Sequence, residues 1–187
     1  MDWVIFGFVV FWLGIVSWFD IQKNEIPQSA WVIIPLIGAC MFRAWQGGWV
    51  LVLLTVLVVA ASERERIAQL FNLEEVGKIV TWFPLVFLSS FFSIQVSPFA
   101  ALAIIGFWVA WELKWWGGAD AVAALTLFLI YPELTFILAF LVVHVIATIC
   151  LTIKSLIRDQ AVKLHKIPGL PLLLITVISF QIVRLLS

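Results

Sequence analysis

Residues 3–19 read WVIFGFVVFWLGIVSWF, a run without a single charge, and Asp20 follows at once. A hydrocarbon core takes about 20 apolar helical residues to cross, with a range near 17–25. The run is therefore long enough for one span closed by a carboxylate. It has no basic stretch ahead of it and no small-residue cleavage site behind it, and reads as a retained span, not a removable signal peptide. Working outward on the same criterion, spans are expected at 3–19, 29–45, 48–62, 79–95, 97–114, 117–131, 134–153 and 170–186. The third and sixth are short and suit tilted members of hairpins.

The composition demands the same class. Of the 187 residues, 64% are hydrophobic and 12% charged, with a mean hydropathy of +1.16. Soluble domains run at about 45–50% apolar and about 25% charged. One small core cannot hide the excess, because burial is limited by surface-to-volume scaling. Lipid must solvate most of the chain. The expected fold is all-α, a polytopic transmembrane helical bundle of about eight spans in a single domain, 1–187. The formal net charge of +0 says nothing about nucleic acid or anionic partners; no nucleic-acid partner is expected, and the bilayer is the partner the composition implies. Cys40 and Cys150 lie in apolar stretches and read as packing residues. No metal-ligand spacing or disulfide framework is visible, so no cofactor is expected.

Sidedness follows from the cations. Lys23, Arg64, Arg66, Lys78, Lys114, Lys154, Arg158, Lys163 and Lys166 fall on one side of the eight-span arrangement, and Arg43 and Arg184 on the other. The positive-inside rule makes the richer side cytoplasmic and both termini external. Trp45, Trp49, Trp82, Trp115 and Trp116 crowd span ends, where an amphipathic ring suits the interface. The charged segment Ser62–Lys78 reads as a short helix lying on the cytoplasmic interface. The basic connection Lys154–Pro168 reads as a topological determinant on the same side.

Against this background two aspartates stand out, since an ionisable group in a bundle is expensive and needs a reason. Asp20 closes the first span in Phe19-Asp20-Ile21-Gln22-Lys23-Asn24-Glu25-Ile26-Pro27, and Asp120 follows Trp116-Gly117-Gly118-Ala119, where the chain re-enters the membrane. An even number of spans separates them, so both fall on the cytoplasmic face. Gly117, Gly118 and Ala119 let another backbone come close. Two facing carboxylates in a site of low polarity cannot both ionise cheaply, so they share one proton and titrate as a unit. The ionised member can draw a proton from water while the protonated one donates to a carbonyl oxygen, the general acid–base chemistry of aspartic proteases.

These residues carry a family resemblance. The stretch from Asp20 to Pro27, with Ile26-Pro27 at its end, resembles the first aspartate motif of type IV prepilin and preflagellin peptidases. Gly117-Gly118-Ala119-Asp120 is similar to their second motif, Gly-x-Gly-Asp, and Ile167-Pro168-Gly169-Leu170-Pro171 to a proline-bearing stretch before their last span. The resemblance implies an intramembrane aspartyl endopeptidase that removes the short charged leader of pilin-like or archaellin-like precursors at the cytoplasmic face of a prokaryotic membrane. Ala119 stands where the family usually has a second glycine, and Val122 where it often has lysine. The wide spacing of the aspartates implies an inserted segment, 62–114, made of the interfacial helix and a helical hairpin. Some bacterial members also methylate the new N-terminus through a cysteine-rich zinc segment; this chain has only Cys40 and Cys150, and peptidase without methyltransferase activity is expected.

Around the dyad, Lys23 and Glu25 are candidates to meet a charged leader, and Glu112 and Lys114 to tune Asp120 or hold that leader. Pro35 and Pro98 should start or kink helices. His144, in mid-span, suits a helix–helix hydrogen bond, or a proton relay. Three rivals remain: interfacial carboxylates merely paired with lysines, a small ion- or proton-coupled transporter using both aspartates, and an inactive assembly partner of a pilus export system.

Overall fold

Among the residues described by the structure, a computed structural model covering 3–23, 29–65, 82–157 and 169–186, every regular element is helical. The helices are α1 (Trp3–Lys23), α2 (Ile34–Trp45), α3 (Trp49–Ser62), α4 (Trp82–Val96), α5 (Pro98–Glu112), α6 (Gly118–Ile130), α7 (Leu134–Ile157) and α8 (Gly169–Leu186). Each expected span overlaps one of these helices, with residues 79–81 outside the described residues. Glu25, Pro27, His165, the Ile167-Pro168 pair and the proposed interfacial helix beyond Glu65 lie outside the described residues.

The helix ends have local causes. Pro98 opens α5 at its first position, where the missing N–H costs nothing. Pro35 sits in the first turn of α2, directly after a π turn at Ser29–Ile33. Having no N–H, Pro35 cannot bond back to the carbonyl one turn earlier, and a widened turn accommodates that loss. α1 runs past Asp20 to Lys23, further than the apolar run alone indicates, because Gln22 and Lys23 are good helix formers and no breaker intervenes.

The chain divides into two units, residues 1–27 with 135–187, and residues 28–134. In the first, α1 packs on α8, and Phe136 of α7 meets Phe180 of α8 edge-to-face at 5.3 Å. The buried residues of α1 are Val9, Trp12, Leu13, Val16 and Ser17. These repeat at helical spacing, so the register sets half-buried Asp20 on the same stripe.

In the second unit α3 is the hub, touching α2, α4, α5 and α6. Two polar contacts define its directions. Ser93, near the end of α4, donates to the Val50 carbonyl at the start of α3 (3.3 Å), so α4 runs antiparallel to α3. Arg64, just past the end of α3, is paired with Glu112 at the end of α5, so α3 and α5 run the same way. Buried hydroxyls inside these apolar helices bond back to their own backbone: Thr55 to Leu51, Ser89 and Ser90 to Val86, Thr126 to Val122. That satisfies the hydroxyls with no partner on another helix.

α6 is the most enclosed element. All residues from Ala121 to Leu129 are buried. Elsewhere large apolar side chains point outward, among them Phe87, Phe91, Leu102, Val109, Ile146 and Ile149. Among the described residues two helical stretches, Trp3–Gln22 and Gly169–Leu186, are long and apolar enough to cross a membrane, and the other expected spans hold shorter apolar helical stretches of 10–17 residues.

Candidate active site

Asp120 occupies the first turn of α6. The N-cap, Gly117, has extended backbone (φ −69°, ψ 151°), and its carbonyl accepts the first helical bond from Ala121 N–H at 2.9 Å. A helix start exposes N–H groups without helical partners, which a carboxylate in the first turn can meet. The Asp120 side chain folds back over its own cap: Oδ2 lies 3.3 Å from where a Cβ on residue 117 would be. Gly117 is thus more than a flexible joint. Its missing side chain makes room for the carboxylate.

The turn carrying this cap begins at the end of α5. Lys114 N–H bonds to Trp111 O at 2.9 Å and Trp115 N–H to Ala110 O at 3.0 Å. This is the Schellman pattern, in which the residue after the C-cap takes a left-handed conformation, usually as glycine. Here it is Lys114, with φ +59°. The ring of Trp116 then stacks edge-on against Phe107 (4.9 Å between centroids), and Phe107 against buried Phe128 of α6 (5.3 Å). That aromatic chain seats the turn on both flanking helices.

Glu112, expected to act on Asp120 or a leader peptide, has partners of its own. Arg64 Nη1 donates to Glu112 Oε1 at 2.7 Å and to the Ala61 carbonyl at 2.9 Å, while Ser62 Oγ donates to the same Oε1 at 3.3 Å. The Glu112 bond raises the Arg64 guanidinium above its ordinary value, with burial pulling the other way. Sequence reasoning missed Arg64 and Ser62 because they stand 48 and 50 positions from Glu112, and no local pattern signals such a pairing. Lys114 is exposed.

The second aspartate belongs to the other unit. Asp20 is half-buried within α1, one turn from its end at Lys23, and only the backbone of Lys23 is described. Gly117, Gly118, Ala119, Glu112, Lys114 and Asp120 are together on the α5–α6 turn.

The chain matches no protein-family model, no curated protein and no solved structure. Its site is read from its own residues.

His144 of α7 makes a bond within its own helix. Its Nδ1 is 2.7 Å from the Phe140 carbonyl, one turn back in the same helix, and its ring stacks on Phe140 at 3.9 Å. A carbonyl only accepts, so Nδ1 carries the hydrogen. This bond is made within one helix, not between two. Cys40 lies in α2 and Cys150 in α7, both as free thiols, and no group of three or more His, Cys, Asp or Glu that could hold a metal occurs among the described residues.

Proposed function

We propose that this chain is an intramembrane aspartyl endopeptidase of the prepilin-peptidase kind, with Asp20 and Asp120 as its catalytic pair. The observation that carries the reading is the α5–α6 turn. There a carboxylate is folded over a glycine at the mouth of an otherwise buried helix, in the Gly-Gly-Ala-Asp setting that resembles the family's second motif. The register of Asp20 on the buried stripe of α1 supports the partner assignment.

Membrane embedding follows from the outward apolar faces together with the composition. Large side chains such as Phe87 and Ile149 gain nothing from exposure to water, and contiguous apolar surface marks contact with lipid or protein. Among the described residues four helices, α2 to α5, lie between the aspartates, and the sequence reading counts four spans there, an even number. Alternating spans therefore bring both carboxylates to one face, which the cation asymmetry makes cytoplasmic. A pilin-like precursor presents its charged leader on that face. The ionised aspartate takes a proton from water, the resulting nucleophile attacks the scissile carbonyl, and the protonated aspartate donates to the carbonyl oxygen. Collapse of the tetrahedral intermediate, with a proton delivered to the leaving amine, completes hydrolysis.

The test is cleavage of a pilin precursor by the protein in lipid, with Asp20→Asn and Asp120→Asn beside the wild type. Wild-type cleavage and its loss in both variants are expected. A wild type that cuts nothing, or a variant that cuts normally, sinks the assignment. Carboxylate-dependent uptake into sealed vesicles without cleavage would identify a transporter instead.

A further inference from the structure

Glu112 and Asp120 are joined by a turn whose pivot, Lys114, is a side-chain-bearing residue in the left-handed region. That conformation is uncommon for anything but glycine and persists where its surroundings hold it. One end of the turn is held by the Trp116–Phe107–Phe128 contacts. The other end is held by Glu112, whose single oxygen Oε1 accepts from both Arg64 and Ser62, while Arg64 is oriented by the Ala61 carbonyl. The end of α5 is thereby tied to the end of α3 across the start of the turn. The two paired side chains are 25% and 26% exposed, so solvent screens them less than a surface pair.

We propose that Arg64 and Glu112 are a positioning pair, clamping the α5–α6 turn so that Lys114 stays left-handed and the Asp120 carboxylate stays over Gly117; its catalytic consequence rests on the peptidase reading above. Without the clamp, the end of α5 is free to unwind. Lys114 then relaxes to a right-handed or extended backbone, and every residue from Trp115 to Asp120 is re-aimed. The pair touches neither substrate nor reacting atoms. It acts through the turn.

The experiment compares the full chain in lipid as wild type, Arg64→Met, Glu112→Gln and the double exchange Arg64→Glu/Glu112→Arg. Two quantities are read: steady-state cleavage of a pilin precursor, and hydrogen exchange at the amides of residues 113–120. Misplacing a catalytic group by about 1 Å can cost on the order of a hundredfold in rate. Each single variant should lose about ten- to a hundredfold in kcat with KM little changed. Exchange in the turn should quicken, and the double exchange, which restores the ion pair but not the Ala61 and Ser62 bonds, should recover part of both. Unaltered kcat in the single variants overturns the proposal, as does a loss that the double exchange fails to restore even in part. If the wild type cleaves nothing, the peptidase reading falls and the catalytic half of the proposal with it. The exchange data then still decide whether the pair holds the turn, because unchanged protection in both single variants refutes the clamp by itself.

Discussion

At the scale of single residues, two positions on the α5–α6 turn carry opposite expectations. Gly117 has a backbone any residue can adopt (φ −69°, ψ 151°), so alanine there meets no backbone strain. It meets the carboxylate instead, at 3.3 Å from Oδ2. Gly117→Ala should weaken the helix cap by less than about 1 kcal/mol. Yet it should lower precursor cleavage by about tenfold, because the Asp120 side chain must shift to make room. Thermal melting and kcat measured on the same preparation separate the two effects; equal cleavage by Gly117→Ala and wild type would remove the carboxylate from the glycine's reason for being there. Lys114 is the reverse case, since its φ of +59° costs a side-chain-bearing residue about 1–2 kcal/mol that glycine does not pay. Part of that gain is offset by the freer unfolded chain. Lys114→Gly should therefore raise Tm, a net gain of up to about 1 kcal/mol, while raising KM if the lysine meets a charged leader. A lower Tm would show that the lysine side chain contributes contacts outweighing the strain. The sequence announced the Gly-Gly-Ala-Asp motif and the charged residues around it. It did not announce the left-handed lysine, because a Schellman turn is a backbone event that any residue can be forced into by its neighbours.

At the scale of elements, helix positions were legible because apolar runs are interrupted only by glycine, proline or charge. The chain's hairpins confirm how little is needed. α2 and α3 are joined through Gln46-Gly47-Gly48, where Gly47 has φ +81° and Gly48 N–H bonds to the Arg43 carbonyl at 2.9 Å. A Cβ on Gly48 would stand 2.6 Å from Arg43 Nε and 2.9 Å from its Cγ, so the arginine lies directly across that glycine. The same guanidinium donates to Gln46 at 2.9 Å. Gly47→Ala should cost about 1–2 kcal/mol through backbone strain alone. Gly48→Ala has no such strain and should act by displacing Arg43 from Gln46, so its cost should largely vanish in an Arg43→Ala background. Melting curves of the two single variants and the Gly48→Ala/Arg43→Ala double variant check this, and an undiminished cost in the double variant would exclude the arginine as the cause. Pairings between elements were not legible. Arg64 meets Glu112 only because α3 and α5 pack side by side, and that adjacency, unlike their shared direction, is carried by no spacing in the sequence.

At the scale of the whole molecule, membrane sidedness is read from the cations, while the structure fixes helix direction within residues 28–134. The cation count requires the ends of α3 and α5 to share one side and the α2–α3 and α4–α5 turns to share the other. Within residues 28–134 the Arg64–Glu112 pair and the Ser93–Val50 bond give those same directions. The division into two units was not legible, because both are built from helices of the same apolar composition and no linker-like stretch marks the change. Sidedness in a membrane is open to a direct measurement. With Cys40→Ala and Cys150→Ala as background, single cysteines can report from each turn. Gln46→Cys, Ser97→Cys and Glu133→Cys should react with an impermeant maleimide in intact cells. Lys114→Cys and Lys163→Cys should react only after the membrane is opened, since the positive-inside rule assigns those lysines to the cytoplasm. Labelling of Lys114→Cys from outside would invert the topology and take Asp120 away from the cytoplasmic face where a leader peptide is presented. Labelling of Ser97→Cys only from inside would break the α4–α5 hairpin as a membrane crossing. Two spans would then lie between Asp20 and Asp120 in place of four, still an even number, so both carboxylates would keep one face while the eight-span count fell to six.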